Sequence, residues 1–254
     1  MLSAMLSADL YKWMLIFARL GSGAMMLPGF NSNMVSTRAR LLFALILAFV
    51  LLPVVGGRLP PSPASPLGLF VVLIQEVSVG IFIGIVTQIL MSALDQAGNS
   101  IGYAIGLTNM FTYDPVTEQQ SALMTGFLNL TAVTLVFITD THHLMLHALV
   151  DSYDLVQPGQ ALPTDDIAHV VVRTLSASSL MGLRLAAPLM VFSITFNTGL
   201  ALINRLVPQI QVFFVGLPIQ ILGGLAILMI CLPGIMLLFI TQLSDGLGSL
   251  LSFG

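Results

Sequence analysis

Six stretches of this chain stay apolar long enough to form helices that cross or line a membrane: Leu10–Phe30, Leu41–Val55, Leu67–Leu94, Ser121–Thr139, Leu175–Ile203 and Val212–Leu243. The second is short, since about fifteen residues rise only ~22 Å against a hydrocarbon core of ~30 Å. It is therefore expected not to cross a bilayer in the ordinary way, or to lie packed inside an assembly. Between the stretches, Asn31–Arg40 is short and basic, and Gly56–Pro66 is broken by Pro60, Pro61, Pro63 and Pro66, which end helices. Asp95–Gln120 carries Asp95, Asp114 and Glu118, and Asp140–His169 carries five aspartates and four histidines; neither contains Lys or Arg. Pro188, Pro208, Pro218 and Pro233 punctuate the last two stretches and predict kinked, broken helices. Those two stretches are placed to form a hairpin around Asn204–Gln211, and no heptad or solenoid repeat is present.

Composition turns this pattern into a fold class. The 254 residues are 57% hydrophobic and 7% charged, with a mean hydropathy of +1.00, whereas a soluble domain carries about 25% charged residues. An all-α integral membrane protein of about six long, kinked hydrophobic helices is the reading that fits. Twenty-two glycines and fourteen methionines suit close helix contact. The net charge of −3, with no basic run to neutralise phosphates, excludes nucleic acid as a partner. Lys12 and Arg19 interrupt the first apolar stretch, so a cleaved leader is not expected. Basic residues in alternate loops put Arg38, Arg40 and Arg205 on the cytoplasmic side and Lys12 and Arg58 on the other. Cys231 lies in an apolar stretch and is expected to be a small core residue.

Some residues depart from the apolar background. Gly80-x-x-x-Gly84 and the series Gly98, Gly102, Gly106 place small residues on one helix face, for packing within the subunit or against another. Glu76 and Arg184 sit inside apolar stretches, where a lone charge is costly, so each needs a partner or water, and they are candidates to pair with one another. Asp140, His143, His147 and Asp151 fall at helical spacings and form the most metal-like cluster. That spacing is common, and no His-Glu-x-x-His pattern accompanies it, so neither a metal nor catalysis is expected there. Ser22 lacks the Gly-x-Ser-x-Gly elbow, and no phosphate-binding glycine loop exists, so the chain is not expected to hydrolyse a nucleotide.

The run Asn204-Arg205-Leu206-Val207-Pro208-Gln209-Ile210-Gln211-Val212-Phe213-Phe214-Val215-Gly216-Leu217-Pro218 resembles the Arg-x-x-Pro-Gln-x-x-Val-Phe-x-x-Gly-x-Pro segment of the FliR family of flagellar export-gate proteins. Further matches follow in family order: Arg19 with Pro28, Arg38 and Pro53; Glu76 with Gly80 and Gly84; Asp95-Gln96-Ala97-Gly98 to Gly106-Leu107 and Asp114-Pro115; and Asp140–His143 leading to Asp151-Ser152. Injectisome homologues (SctT) share the plan, while the Pro-Gln and Gly-x-Pro elements look flagellar.

The resemblance implies a structural, pore-forming subunit of a hetero-oligomeric gate for type III protein export, built of helical hairpins in the bacterial inner membrane at the flagellar basal body. Implied partners are FliP and FliQ, then FlhA and FlhB, with unfolded flagellar proteins as cargo and no cofactor. It further implies a FliP-like part, residues 1–170, and a FliQ-like C-terminal hairpin, residues 171–254. A plug loop is implied at about 106–120, with Gly106, Leu107, Thr108, Asn109, Met110 and Phe111 as gate residues. Gly80, Gly84, Gly98 and Gly102 would serve helix packing, and Glu76, Asp95, Arg184 and Arg205 would make polar contacts in the membrane. From the residues alone, two other classes compete: a secondary transporter, which lacks the paired broken repeats it would need, and an intramembrane metalloenzyme using Asp140, His143, His147 and Asp151.

Overall fold

The computed structural model describes residues 2–30, 35–63, 65–107, 122–159, 164–206 and 212–251. Among the described residues the structure is wholly helical: α1 Leu2–Met26, α2 Thr37–Val55, α3 Pro66–Ile105, α4 Ala122–Ile138, α5 Thr141–Leu155, α6 Thr164–Leu206 and α7 Val212–Leu251. Four of these, α2, α3, α6 and α7, hold a window long and apolar enough to cross a membrane. The α4–α5 pair, bent by 77° at its junction, makes a fifth candidate.

Several boundaries differ from the hydrophobic pattern. The α2 helix starts ahead of its apolar run, because Ser36 caps it by accepting a hydrogen bond from the Ala39 N–H at 3.3 Å, so Arg38 and Arg40 form its first turn. Its 19 residues rise about 28 Å, close to a full hydrocarbon core, which corrects the expectation that this segment is too short. The α3 helix runs through Asp95 and the second glycine series to Ile105, where Gly106 ends it at φ +84°. In the polar stretch 140–169, the apolar positions Met145, Ala148, Leu149 and Tyr153 form the buried face of α5.

Pro188 lies within unbroken α6, and Pro218 and Pro233 within unbroken α7. The expected breaks are absent because each proline removes one donor and leaves the ladder intact on either side. Pro208 lies outside the described residues.

The chain divides into two compact units. Unit 1 comprises residues 1–90, 137–175 and 243–254. In it, Leu15, Ile16 and Leu20 of α1 are wholly buried, as is Ala48 of α2. Gly80 and Gly84 of α3 lie against Ser22, Gly23 and Met26 of α1, where a Cβ at Gly80 would strike the Arg19 carbonyl and one at Gly84 the Met26 side chain. Unit 2 comprises residues 91–136 and 176–242, with Leu94, Ile101, Leu128, Leu185 and Phe239 in its core. Gly98 lies against the Thr125 backbone of α4, with Gly102 near Met124. Leu200 packs on Gly216 and Phe192 on Gly223, so α6 and α7 run antiparallel. Outward, α7 shows Leu222, Met229, Ile230 and Leu237, each at least 70% exposed, a surface for lipid or neighbouring helices rather than water. Cys231 is half-buried rather than in the core.

Candidate functional site

The most elaborate polar constellation among the described residues of unit 1 is built around Arg19, in the C-terminal third of α1 and 0% exposed. A buried guanidinium has five N–H donors to satisfy. Its Nε and Nη2 grip Glu76 of α3 through Oε2 at 2.7 Å and Oε1 at 3.1 Å. Nη1 donates to the Ser152 carbonyl at 3.0 Å and to Ser152 Oγ at 3.3 Å, and Nη2 donates to the Val156 carbonyl at 3.2 Å. These carbonyls lie at the C-terminal end of α5, whose negative pole attracts a cation; the Ser152 carbonyl also accepts the Val156 N–H at 2.9 Å and offers Arg19 its second lone pair. The Tyr153 ring covers the guanidinium at 3.9 Å. Arg19 thus ties α1, α3 and the end of α5 together, and the partner of Glu76 is Arg19 rather than Arg184.

Around this hub, Ser22 Oγ donates to the carbonyls of Arg19 and Val77, at 3.0 and 3.2 Å. The serine that failed as a nucleophile ties α1 to α3. Tyr153 carried no sequence signal, since a tyrosine in a polar stretch looks like surface, and Ser152 stood only at the end of a family match that implied no contact for it. A buried acid and a buried base in separate apolar stretches did point to a pair, but Arg19 read as an interruption of the first stretch and as a family match, not as the partner of Glu76.

Unit 2 surrounds the end of α3. Asp95 is exposed and accepts a hydrogen bond from Asn129 Nδ2 of α4 at 2.6 Å. Gln220 of α7, 4% exposed, donates through Nε2 to the Ala104 carbonyl at 3.0 Å, and its amide lies against Gly106. Ala104 O is one of the last carbonyls of α3, which have no acceptor role within the helix. Gln220 therefore caps α3 from outside, a role that no spacing in the sequence announced. Leu107 follows; Thr108, Asn109, Met110 and Phe111 lie outside the described residues. Arg184, midway along α6, and Arg205, in its last turn, are both exposed.

The metal-like set is redistributed. Asp140 sits at the α4–α5 bend with φ +57°, so it leaves the helical phase on which the 140–143–147–151 spacing depended. The structure instead brings Asp140, His142 and His143 together, their ligand atoms within 4.8 Å of one another, with Asp140 and His143 exposed. His147 and Asp151 lie outside that group. The His142 ring makes tilted contacts with the rings of Phe137 and His143, at 5.0 and 4.1 Å between centroids.

Comparison with known proteins gives this geometry a family. Flagellar biosynthetic protein FliR of Caulobacter vibrioides is 37% identical over 227 residues, covering 89% of this chain and 90% of that protein. The proteins of the same name from Bacillus subtilis and Escherichia coli are each 26% identical over 228 residues, covering 88% and 89% of this chain and 87% and 85% of their own. Residues 10–246 match the family described as Bacterial export proteins, family 1, and with that match over nearly its whole length the chain belongs to this family.

Proposed function

We propose that this chain is a structural, pore-forming subunit of the flagellar type III export gate, assembled with FliP and FliQ in the bacterial inner membrane at the flagellar basal body. The observation that carries the reading is the family match across residues 10–246, joined to relatives named for flagellar biosynthesis along most of their length. Physical support comes from the broad apolar surfaces of α2, α6 and α7, which suit neighbouring helices as well as lipid.

In this reading the segment of about 106–120 plugs the channel. It leaves α3 at Gly106, whose positive φ turns the chain out of the helix and whose end Gln220 holds. Met110 and Phe111 are the gate residues, since a plug must exclude water and ions yet yield to a passing chain, which flexible apolar side chains do. Residues 1–170 form the FliP-like part and 171–254 the FliQ-like hairpin of α6 and α7. Unfolded flagellar proteins are the cargo, and the driving energy enters through FlhA and FlhB rather than through a site on this chain.

The test is co-expression of the full chain with its FliP and FliQ, detergent extraction and measurement of particle mass. A stable complex containing all three supports the reading. A lone monomer or homodimer, with FliP and FliQ both present and folded, overturns it.

A further inference from the structure

Two arginines lie deep in apolar helices of this chain, and the structure treats them in opposite ways. Arg19 meets Glu76, Ser152 and Val156 inside unit 1. Arg184, at the middle of the 43-residue α6, is exposed between the exposed apolar residues Leu180, Leu183 and Val191. No hydrogen bond or ion pair of Arg184 is found among the described residues. A guanidinium facing hydrocarbon without acceptors is costly, so a residue of this kind marks a face that something else covers.

The register of α3 and α6 within unit 2 shows at what level this face lies. Ser92 meets Ser178 at 3.3 Å, and Gly182 lies against the Ala93 carbonyl and Gln96. Further along, Ser100, Tyr103 and Ala104 share a cavity with Met190, Ser193 and Ile194. The helices are therefore parallel, and Arg184 stands within about one turn of the level of Asp95. Asp95 is also exposed, with an amide rather than a cation as its contact, and the two do not pair with each other. One level of unit 2 thus presents a cation and an anion that this chain leaves unmatched.

A lipid headgroup is the simplest alternative cover for Arg184, with the bilayer running from there to Arg205. The apolar surface of α7 argues against it. Phe192 lies on Gly223 in the antiparallel α6–α7 pair, so the level of Arg184 falls near Cys231, and such a slab would leave Leu237 and Leu238, 70% and 58% exposed and about 9 Å further along α7, in water.

We propose that the Arg184 face of α6 docks a membrane helix of a partner subunit that carries an aspartate or glutamate at this depth. The proposal rests on the reading of the chain as one subunit of a hetero-oligomeric gate, and it adds the chemistry by which the neighbour is recognised. A charged pair closed off from lipid favours the correct neighbour and register, because any helix without the carboxylate leaves the guanidinium unmatched.

The experiment co-expresses the full chain with FliP and FliQ and compares wild type with Arg184→Lys, Arg184→Gln and Arg184→Glu, reading complex yield and particle mass. Arg184→Lys is expected to assemble near wild-type yield, and Arg184→Glu to lose about tenfold or more of the complex. Restoration of Arg184→Glu by reversing one carboxylate in FliP or FliQ completes the support. A photocrosslinking residue at Val191 in the otherwise unaltered chain covers the case in which charge reversal prevents insertion, and a crosslink to FliP or FliQ is the supporting result. Wild-type yield of the Arg184→Glu complex, crosslinking to lipid alone, or rescue by Asp95→Arg in a second copy of this chain overturns the proposal while leaving the gate reading intact. Failure of the wild-type chain to enter any complex overturns both.

Discussion

Arg19 and Glu76, 57 positions apart, share two hydrogen bonds at 2.7 and 3.1 Å, with each side chain 1% exposed. Breaking a pair of this kind leaves one charge buried without its counterpart, which costs about 3–5 kcal/mol, whereas removing both charges is often near neutral. Arg19→Leu and Glu76→Leu are each expected to lower the unfolding temperature of the detergent-purified chain sharply, and the double variant to recover part of the loss. Recovery is incomplete because Arg19 also serves the Ser152 and Val156 carbonyls at the end of α5. Equal and additive losses in a double-mutant cycle would show that the two do not act as a pair.

Tyr153 contributes its ring face rather than its hydroxyl. The ring lies 3.9 Å from the Arg19 guanidinium, while the buried hydroxyl has no hydrogen-bond partner among the described residues. Tyr153→Phe is therefore expected to keep full stability or gain slightly. Tyr153→Leu should lose the cation–π term and part of the packing, about 1–3 kcal/mol together. The same thermal unfolding measurement separates these outcomes, and a large loss in Tyr153→Phe would assign the hydroxyl a partner.

Gly98 and Gly126 make an internal control. A Cβ at Gly98 would lie against the Thr125 backbone, so α3 and α4 would have to part, whereas a Cβ at Gly126 meets nothing within 4 Å. Gly98→Ala is expected to cost about 1–3 kcal/mol through overpacking. Gly126→Ala should be neutral or gain up to about 1 kcal/mol from helix propensity. Trypsin resistance of the extracted chain reports the difference, and matching behaviour of the two variants would remove the close approach at Gly98.

Hydrophobic pattern alone located every long helix, because apolar runs of this length have few other fates. Their ends were harder to find. Arg38 and Arg40 read as loop although the Ser36 cap draws them into α2, and the 106–120 loop was assigned from the family resemblance, not from periodicity. The stripe of Gly80 and Gly84 was legible as a packing face, but not which helix it meets. The partner choice of Glu76 was read wrongly because the pairing depends on the path of α1 beside α3, and periodicity within one segment carries no such information. Gln220 was invisible for the same reason: a lone glutamine in an apolar run reveals nothing until another helix ends beside it.

At the end of α3, Gln220 supplies a donor to the Ala104 carbonyl. Gln220→Leu removes it and leaves a buried acceptor unpaired, at about 1–3 kcal/mol. Gln220→Glu is expected to cost more when ionised, since a carboxylate offers only acceptors to a carbonyl. Hydrogen exchange at the Gly106 and Leu107 amides should quicken in both variants. Unchanged exchange there would mean that α3 ends independently of α7.

Met110 and Phe111 carry the gate proposal, and their replacement separates a plug from a buried loop. If the loop of about 106–120 closes the channel with apolar side chains, then shortening them to glycine widens the closed state and lets water and small ions through, while a passing chain still finds its way out. Cells producing Met110→Gly together with Phe111→Gly, with the other gate components present, are expected to leak small solutes and to grow poorly at raised salt, yet to retain export. An ordinary packing role predicts the reverse: lower amounts of assembled gate, reduced export and no leak. Measuring leak and assembled gate in the same cells decides between the two, because only an assembled complex that leaks requires these side chains at the closure.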